Sequence, residues 1–398
     1  MKVFLVAGEH SGDQLGFKLM QALKAGAGEP VAFFGTGGEA MQREGMNPLF
    51  PLEDIAVMGL LPVLKRLPTV LARIAQTAAA VIATRPDVLV LIDSPDFSHR
   101  VARRVRKALP DLALVNYVSP TVWAWRPGRA HAMRAYVDHV LALLPFEPEA
   151  HRRLGGPDCT YVGHPLIERL GEFRPDPVEV LRRAAAPPVL LVLPGSRRLE
   201  IDRLMPVFGE TLARVVRAFG PVEAVLPAVD HVEAKIRAAV ETWPVQPRIV
   251  TGEAAKLAAF RSARAALAAS GTVTLELGLA GVPMVVAYQV SWLEETVLQF
   301  LLTAKSFALP NLVLEAKPIP EFLQTQCTAQ NLAAALALLL HDSPERAAQL
   351  KVLRDLDASM VLAAGDTPSA RAAEIVLACA RNRQRRPSGL QVSTDLRI

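Results

Sequence analysis

The sequence has few cysteines and few aromatic residues. Its three cysteines, Cys159, Cys327 and Cys379, are far apart in a chain of 398 residues, of which aromatic residues make up 6%. An odd number of widely spaced cysteines argues against a disulfide framework and predicts a protein of the reducing cytoplasm. The histidines form neither an HxH nor an HExxH pattern. The sequence therefore predicts no metal site and no cofactor.

The sequence also lacks long apolar runs and, in its main part, an excess of positive charge. No run of about 18 apolar residues is free of charged side chains, and the apolar start at Lys2–Ala7 is too short for a signal peptide. We therefore expect no membrane-spanning segment. The formal net charge is +5, but the tail at 381–398 holds five arginines and one aspartate. The remainder is nearly neutral, which predicts no nucleic-acid partner.

The length and the order of the apolar segments predict two α/β domains. A chain of 398 residues exceeds what one hydrophobic core usually supports. Short apolar strands alternate with helical patterns in two series, which is typical of parallel sheets covered on both faces. We predict two doubly wound, Rossmann-like domains, over 1–172 and 186–343, that face a cleft. Helices at 344–380 are predicted to cross back to the first domain, and the tail at 381–398 is predicted to be disordered, with a role either in weak attraction to anionic lipid or in solubility alone.

The segment ASGTVTLE predicts an anion-binding turn. Ser270, Gly271 and Thr272 form a turn of small residues that leads into an apolar helical stretch. Because the first N–H groups of a helix lack partners and lie at its positive dipole end, such a turn suits a diphosphate. Glu276, about one helical turn further on, is placed to reach the hydroxyl groups of a ribose. The alternative is a buried helix whose single carboxylate is solvated.

A second anion-binding element is predicted in the loop PGSRR, which follows the apolar strand VLLVL. Ser196 supplies a hydroxyl group there, and Arg197 supplies a guanidinium that can bind phosphate oxygens in a bidentate manner. Neither this loop nor the ASGTVTLE turn resembles a Walker P-loop, because no GK[ST] follows. Two anion-binding elements at one sheet edge favour a diphosphate ligand.

Two strand-end loops in the first half carry carboxylates. Asp93 follows the strand VLVLI, and burial there would raise its pKa and make it a usable general base. The alternative is that Asp93 or Asp96 caps the next helix. Glu9 and Ser11 follow the first strand in the loop GEHSGD, where Glu9 is either catalytic or structural. Because this loop is not GxGxxG, a nicotinamide cofactor is disfavoured.

The segment Leu60–Ile82 carries an apolar face that is wider than a core stripe needs. Leu61, Leu64, Leu67 and Val70 contribute to this face. The segment either contacts a membrane surface or acyl chains, or is a plain core helix.

The loop YVSPTVWAWR places two tryptophans and an arginine close together. Trp123 and Trp125 either stack on a sugar or pack within the protein. Arg126 and Arg129 either take part in binding or are solvated.

Taken together and in this order, these loops resemble those of the lipid-A-disaccharide synthases. The matching segments run from Leu5 to Leu312 and are LVAGEHSGD, AVMGLLPVL, PDVLVLIDSPDF, YVSPTVWAWR, LLPFE, VGHP, LPGSR, ASGTVTLE, PMVVAY and LPNL. The resemblance implies an inverting, metal-independent glycosyltransferase of the GT-B fold, with an acceptor-side first domain and a UDP-binding second domain. Its donor would be UDP-2,3-diacylglucosamine, its acceptor 2,3-diacylglucosamine 1-phosphate, and its products the lipid A disaccharide 1-phosphate and UDP.

The resemblance also implies a location, a partner and roles for residues. The enzyme would be cytoplasmic and peripheral at the inner membrane, as a homodimer with exchanged C-terminal parts. Asp93 would be the general base, with Glu9 as a second catalytic residue. The implied UDP-binding residues are Ser11, Ser196, Arg197, Ser270, Gly271, Thr272, Glu276 and Asn311. The implied membrane or acyl patch is Leu61, Leu64, Leu67 and Val70. Two alternatives stay open, namely another GT-B UDP-sugar transferase or epimerase, and a non-enzymatic nucleotide-sugar-binding protein.

Overall fold

A computed structural model of the protein describes residues 1–56, 60–290, 306–362 and 365–384. The described chain forms two compact units. The first comprises Met1–Pro165 together with the chain from Leu362 onward, and the second comprises Leu166–Val361.

The first unit is built on a parallel sheet. Its strands are β1 Lys2–Ala7, β2 Ala32–Thr36, β3 Asn47–Pro48, β4 Val88–Ile92, β5 Ala113–Tyr117, β6 His139–Ala142 and β7 Asp158–Tyr161. Within the described residues it is seven-stranded, in the order β3-β2-β1-β4-β5-β6-β7. Its helices are α1 His10–Gly26, α2 Glu39–Arg43, α3 Leu60–Thr84, α4 Pro95–Ala108, α5 Gly128–Met133 and α6 Glu147–Arg153. Strands β1, β4 and β5 are almost wholly buried, because helices cover both faces of the sheet.

The second unit repeats this architecture. Its strands are β8 Val189–Leu193, β9 Glu223–Ala228, β10 Arg248–Thr251, β11 Ala265–Ala269, β12 Met284–Tyr288 and β13 Glu321–Leu323. In the described part they form a six-stranded parallel sheet in the order β10-β9-β8-β11-β12-β13. Its helices are α7 Leu170–Phe173, α8 Pro177–Ala184, α9 Arg198–Phe219, α10 Asp230–Val240, α11 Glu253–Ser262, α12 Thr272–Leu279, α13 Leu309–Val313, α14 Ala329–Leu340 and α15 Pro344–Met360. Two doubly wound α/β folds are therefore present, and this part of the sequence-based prediction is confirmed.

The C-terminal helices divide between the two units. Helix α15 buries Leu353, Leu356 and Met360 and packs against α12, α13 and α14 of the second unit. The last helix, α16 Pro368–Gln384, packs against α1 in the first unit. The sequence analysis predicted that the helices at 344–380 all cross back to the first domain. Instead the chain divides after Val361, because the apolar face of α15 packs within the second unit. Helix α16 continues into the predicted tail as far as Gln384, and 385–398 lie outside the described residues.

Helix α1 carries a buried carboxylate that organises the neighbouring turn. Asp13 is 3% exposed and accepts hydrogen bonds from the backbone N–H groups of Gly38 at 2.8 Å, Ala40 at 3.0 Å and Met41 at 3.1 Å. These N–H groups lie at the start of α2, whose own N-cap side chain is absent because that residue is Gly38. A Cβ atom at position 38 would lie 2.7 Å from the Asp13 carboxylate. The glycine and the aspartate therefore depend on each other.

We expect Asp13→Ala to lower the free energy of unfolding by about 3 kcal/mol, since it leaves buried N–H groups without an acceptor. Urea denaturation measures the change. The exposed Asp111, replaced in the same way, serves as the control and should change the free energy by less than about 0.5 kcal/mol. Equal effects of the two substitutions would contradict the assigned role of Asp13.

Candidate active site

The strand order of the second sheet reverses between β8 and β11, which are hydrogen-bonded neighbours. Ligands of open α/β sheets bind beyond the carboxyl ends of the strands at such a reversal. The register pairs Leu193, at the end of β8, with Ala268 near the end of β11. The loops that carry Ser196 and Ser270 therefore leave the sheet side by side, as the two predicted anion-binding elements require.

Glycines shape both loops. Gly271 has a φ of +149° and Gly195 a φ of +102°, conformations that side chains rarely adopt. A Cβ atom at Gly271 would meet no atom within 4 Å, so its backbone conformation, and not crowding, requires the glycine there. Gly271 is the N-cap of α12, and the first N–H groups of that helix have no intrahelical acceptor. The turn therefore presents N–H donors at the positive end of a helix dipole.

Ser270 and Thr274 hold the turn in place. The Ser270 hydroxyl donates to the Phe307 carbonyl at 2.7 Å, and the Thr274 hydroxyl donates to the Gly271 carbonyl at 2.8 Å. The Thr274 oxygen also accepts a hydrogen bond from the Leu309 N–H at 3.2 Å. The side chain of Ser270 thus supports the loop, while its neighbours offer their N–H groups.

Glu276 lies on α12 beside a lysine that the sequence analysis did not select. Lys256, on α11, places Nζ 3.2 Å from Glu276 Oε2 and 2.9 Å from Glu253 Oε2. Burial raises the pKa of Glu276, and the charge of Lys256 acts in the opposite direction. Glu276 is therefore a half-enclosed carboxylate held by one cation, a good acceptor for hydroxyl donors. No local motif marks Lys256, because it reaches this place only through the packing of α11.

Arg197 extends into solvent from the loop after β8. Its side chain is 72% exposed, and Nη1 donates to Glu200 Oε1 at 2.9 Å. Glu200 also accepts from the Arg197 backbone N–H at 3.4 Å. Such an exposed pair contributes little stability, so the guanidinium can turn toward an anion at small cost.

A pocket of about 530 Å³ joins these elements at the carboxyl edge of the sheet. Six predicted residues line it, namely Ser196, Arg197, Ser270, Gly271, Thr272 and Glu276. The ends of β9 and β10 add Asp230, Gly252 and Glu253, which sequence reasoning missed. A cavity of about 580 Å³ lies elsewhere in this unit, but its lining comes from the flanks of α9 and α10. The strand-end pocket is therefore the candidate ligand site.

Asn311 is not among the residues that line this pocket. It is 3% exposed, and its amide donates to the Ile319 carbonyl at 3.0 Å and to Glu321 Oε1 at 2.6 Å. Its oxygen accepts from the Ile319 N–H at 3.2 Å. Through these hydrogen bonds the Asn311 side chain joins α13 to the start of β13.

The first sheet has its own reversal of strand order, between β1 and β4. Asp93 follows β4 with a φ of +55°, and its Oδ1 accepts from the Ser94 N–H at 2.7 Å. Burial raises the pKa of the Asp93 carboxyl, as the sequence analysis expected. A φ in this range is strained for an aspartate and is typical of functional positions.

The loop after β1 meets the loop after β4. A Cβ atom at Gly8 would lie 2.5 Å from the Ser94 hydroxyl oxygen, so only glycine allows this approach. Glu9 is half-buried at the N-cap of α1, and Ser11 is exposed in its first turn. The reversal therefore brings the Glu9 and Asp93 loops together, within the first unit. Ser11 belongs to this unit, and like Asn311 it is not among the residues that line the strand-end pocket.

Helix α3 carries the predicted apolar patch. Leu67 and Leu71 are 39% and 40% exposed, and Val70 packs partly against the core. The side chains of Leu61 and Leu64 lie outside the described residues. The helical segment Arg66–Thr84 is long and apolar enough to cross a bilayer by length and composition, with 22% of it buried. The segment includes Arg66 and Arg73, so it is not the charge-free apolar run that the sequence analysis found to be lacking. Inside this segment Arg73 pairs with Asp54 at 2.6 Å, and Ile74 is fully buried.

Comparisons with known proteins bear on this arrangement. A family described as lipid-A-disaccharide synthetase matches residues 3–372. The chain belongs to this family. Lipid-A-disaccharide synthases of Nitrobacter hamburgensis and Rhodopseudomonas palustris are 59% and 57% identical to it, each covering 94% of this chain and 95% of the relative. The family resemblance and the enzyme class implied by the sequence are confirmed.

Solved structures confirm the fold. A UDP-GlcNAc 2-epimerase of Neisseria meningitidis, bound to UDP-GlcNAc, superposes with a TM-score of 0.60 at 10% identity, covering 96% of this chain and 100% of that chain. MurG of Acinetobacter baumannii superposes with a TM-score of 0.56 at 12% identity, covering 94% and 98%. At such identities the likeness shows the GT-B fold alone. The choice among the enzymes that share this fold therefore depends on family membership.

We expect Arg197→Ala to weaken the binding of UDP by about ten-fold or more, because a charge-assisted hydrogen bond to a diphosphate oxygen is lost. Isothermal titration calorimetry measures the dissociation constant. Arg198→Ala is the matched control, since it removes the same charge one residue further along and does not line the pocket. An unchanged affinity of the Arg197 variant would contradict its predicted role.

Proposed function

We propose that this protein is an inverting glycosyltransferase that condenses UDP-2,3-diacylglucosamine with 2,3-diacylglucosamine 1-phosphate. The products are the lipid A disaccharide 1-phosphate and UDP. Membership in the lipid-A-disaccharide synthetase family across residues 3–372 supports this reaction. The observation that carries the proposal is the strand-end pocket of the second unit, in which six residues predicted for UDP lie together in a member of this family.

The pocket supplies what a leaving UDP group requires. Its N–H donors at Gly271 and Thr272 and the Arg197 guanidinium face the developing negative charge of the diphosphate in the proposed complex. Preorganised donors of this kind are commonly the largest catalytic contribution, and the loss of one costs about 3–4 kcal/mol. Glu276, with Lys256 behind it, accepts hydrogen bonds from the ribose hydroxyl groups. These residues make the departure of UDP possible by hydrogen bonding and charge.

Asp93 is the proposed general base. It accepts the proton of the acceptor's 6-hydroxyl group while that oxygen attacks the anomeric carbon of the donor and the bond to UDP breaks. Its half-buried carboxyl, with a raised pKa, is a stronger base than an exposed aspartate. Glu9, beside the same strand ends, is proposed to assist in this region. The inverting outcome follows from a single displacement with one base.

The product test uses purified full-length protein, the diacylated UDP donor and the diacylated monosaccharide 1-phosphate, analysed by mass spectrometry. The expected result is the tetraacyl disaccharide 1-phosphate. Parallel reactions with non-acylated UDP-sugars test the two alternatives. Epimerised UDP-sugar, or binding of UDP-sugar without any product, would overturn the proposal.

We expect Asp93→Asn to lower turnover by about 10²–10⁴-fold, because the variant cannot accept a proton. Its affinity for UDP should stay within about two-fold of the wild type. Asp111→Asn, an exposed aspartate on the same unit, is the matched control for kcat. In the wild type, kcat/KM should fall as pH decreases through the pKa of Asp93. The midpoint of this fall in kcat/KM should lie above the ordinary aspartate pKa of about 3.9, since burial raises the pKa of Asp93. A substantially active Asp93→Asn enzyme would remove Asp93 as the base.

Both substrates carry acyl chains, so we also propose that the enzyme works at the cytoplasmic surface of the inner membrane. The exposed Leu67 and Leu71 of α3 support this part of the proposal. An apolar helix face of this kind inserts into the boundary between headgroups and acyl chains.

The double substitution Leu67→Ser and Leu71→Ser should release the protein from phospholipid vesicles in a flotation assay. Both leucines are about two-fifths exposed, so the free energy of unfolding should change by less than about 1 kcal/mol. Val178→Ser and Leu181→Ser on α8 form the control, because these side chains are 73% and 72% exposed in the second unit. Unchanged flotation of the α3 variant, or equal loss in both variants, would contradict the membrane role of α3.

A homodimer with exchanged C-terminal parts is the last part of the proposal. Helix α16 buries Ala372, Val376 and Leu377 against the core beside α1, contacts that a partner's copy of the helix can also make. Sedimentation equilibrium tests the oligomeric state, and a monomer at micromolar concentration would contradict it.

A further inference from the structure

A basic pocket of about 340 Å³ lies in the first unit, beside α4 and the start of α5. Four arginines line it, namely Arg100, Arg103, Arg126 and Arg129, together with Asp96 and His99. The lining therefore includes four arginines and one carboxylate. Such a concentration of positive charge in a concave site attracts a compact anion of more than one charge.

A chain of hydrogen bonds fixes one of these arginines. Arg103 Nη2 donates to the Tyr136 hydroxyl group at 3.3 Å, and that hydroxyl donates to His99 Nδ1 at 3.2 Å. His99 Nε2 donates to Asn116 Oδ1 at 3.1 Å, and the Asn116 amide donates to the Val118 carbonyl at 2.9 Å. His99 and Tyr136 are each 3% exposed. The guanidinium also stacks over the Tyr136 ring at 4.7 Å, so its orientation is set before any ligand arrives.

His99 adds no charge to this pocket near neutral pH. Burial, and then the neighbouring charges of Arg129 and Arg103, lower its pKa to about 4. The neutral ring is held between two hydrogen-bond partners. His99 therefore supports the position of Arg103 through the Tyr136 hydroxyl group.

Arg129 and Arg126 have weak partners. Arg129 donates to Asp96 at 3.3 Å, but that aspartate is 86% exposed, so solvent screens the pair. Arg126, in the loop YVSPTVWAWR, has a φ of +52°, and its guanidinium lies 4.6 Å from the Trp125 ring centroid. An unusual backbone conformation and an aromatic platform thus direct Arg126 to the rim of the pocket.

We propose that this arginine pocket binds the phosphate monoester of the acceptor sugar. This inference rests on the proposed function, in which the acceptor carries a 1-phosphate group. Arginine forks match phosphate oxygens, and several of them suit a dianion better than a single carboxylate. Pro95, the first residue of α4 and two residues after Asp93, also lines the pocket. A sugar held here by its phosphate therefore lies next to the proposed base.

The test is a kinetic comparison of the Arg103→Gln/Arg129→Gln enzyme with the wild type. We expect the KM for the phosphorylated acceptor to rise by ten-fold or more, while the KM for the UDP donor stays within two-fold. With an acceptor analogue that lacks the phosphate, both enzymes should have the same kcat/KM. Arg104→Gln is the matched control, because this exposed arginine lies on α4 and does not line the pocket. An unchanged acceptor KM would overturn the proposal.

Because Arg103 stacks on the buried Tyr136 ring, its replacement can disturb folding. A second variant therefore tests the pocket without changing Arg103. Arg100→Gln/Arg126→Gln removes two exposed charges without touching that ring, and it should also raise the acceptor KM. Direct binding of glucosamine 1-phosphate to the wild-type protein, measured by calorimetry, needs no turnover. If the wild type forms no disaccharide, the proposed function fails. In that case the binding of glucosamine 1-phosphate still tests the arginine pocket. We expect the variants to lose this binding, and variants that still bind it would overturn the assignment of the pocket.

The phosphate group of an anionic lipid is the other source of the same chemistry. Flotation with vesicles of phosphatidylglycerol and of phosphatidylcholine separates the two sources. We expect the pocket variants to bind both vesicles as the wild type does. Loss of phosphatidylglycerol binding with an unchanged acceptor KM would assign the arginines to the membrane and overturn the acceptor site.

Discussion

The reversal of strand order in each parallel sheet is the constraint on which the rest of the site depends. Adjacent strands β8 and β11 are consecutive neighbours in the sheet but are separated in sequence by two further strands. Their loops therefore meet at one edge, where a ligand can enter between them. The first sheet repeats this relation between β1 and β4. Every residue proposed to act on the reacting atoms stands on a loop or a first helical turn beyond these strand ends.

Glycines make the approach of those loops possible. Gly8 leaves room for Ser94, and Gly38 leaves room for the carboxylate of Asp13. Gly271 permits a backbone conformation that opens the start of α12. Gly8 and Gly38 thus allow close contacts, and Gly271 leaves the first N–H groups of α12 available to a ligand.

Charge is distributed between the two units according to the proposed chemistry. In the second unit, Lys256 and Arg197 have carboxylate partners within the protein, so an incoming diphosphate exchanges one anionic partner for another. In the first unit, Asp93 is half-buried with a raised pKa and accepts a hydrogen bond from Ser94, as suits the proposed general base. The arginine pocket beside α4 adds positive charge near that base. In the proposed reaction, the anion is therefore bound by cations that already have carboxylate partners, and the proton is taken up by a carboxylate whose pKa is raised.

The sequence by itself determined the fold class and six of the residues that line the strand-end pocket, because strand-end loops follow directly from apolar runs and turn residues. Ser196, Arg197, Ser270, Gly271, Thr272 and Glu276 come together for that reason. Only the tertiary structure decided the place of Lys256, which reaches Glu276 through helix packing, and that of Asn311, whose amide is buried by a contact with Ile319. It also decided where the chain leaves the second unit, at Val361, because helix α15 matches the second core. Contacts between residues distant in sequence depend on side-chain packing, which local patterns do not record.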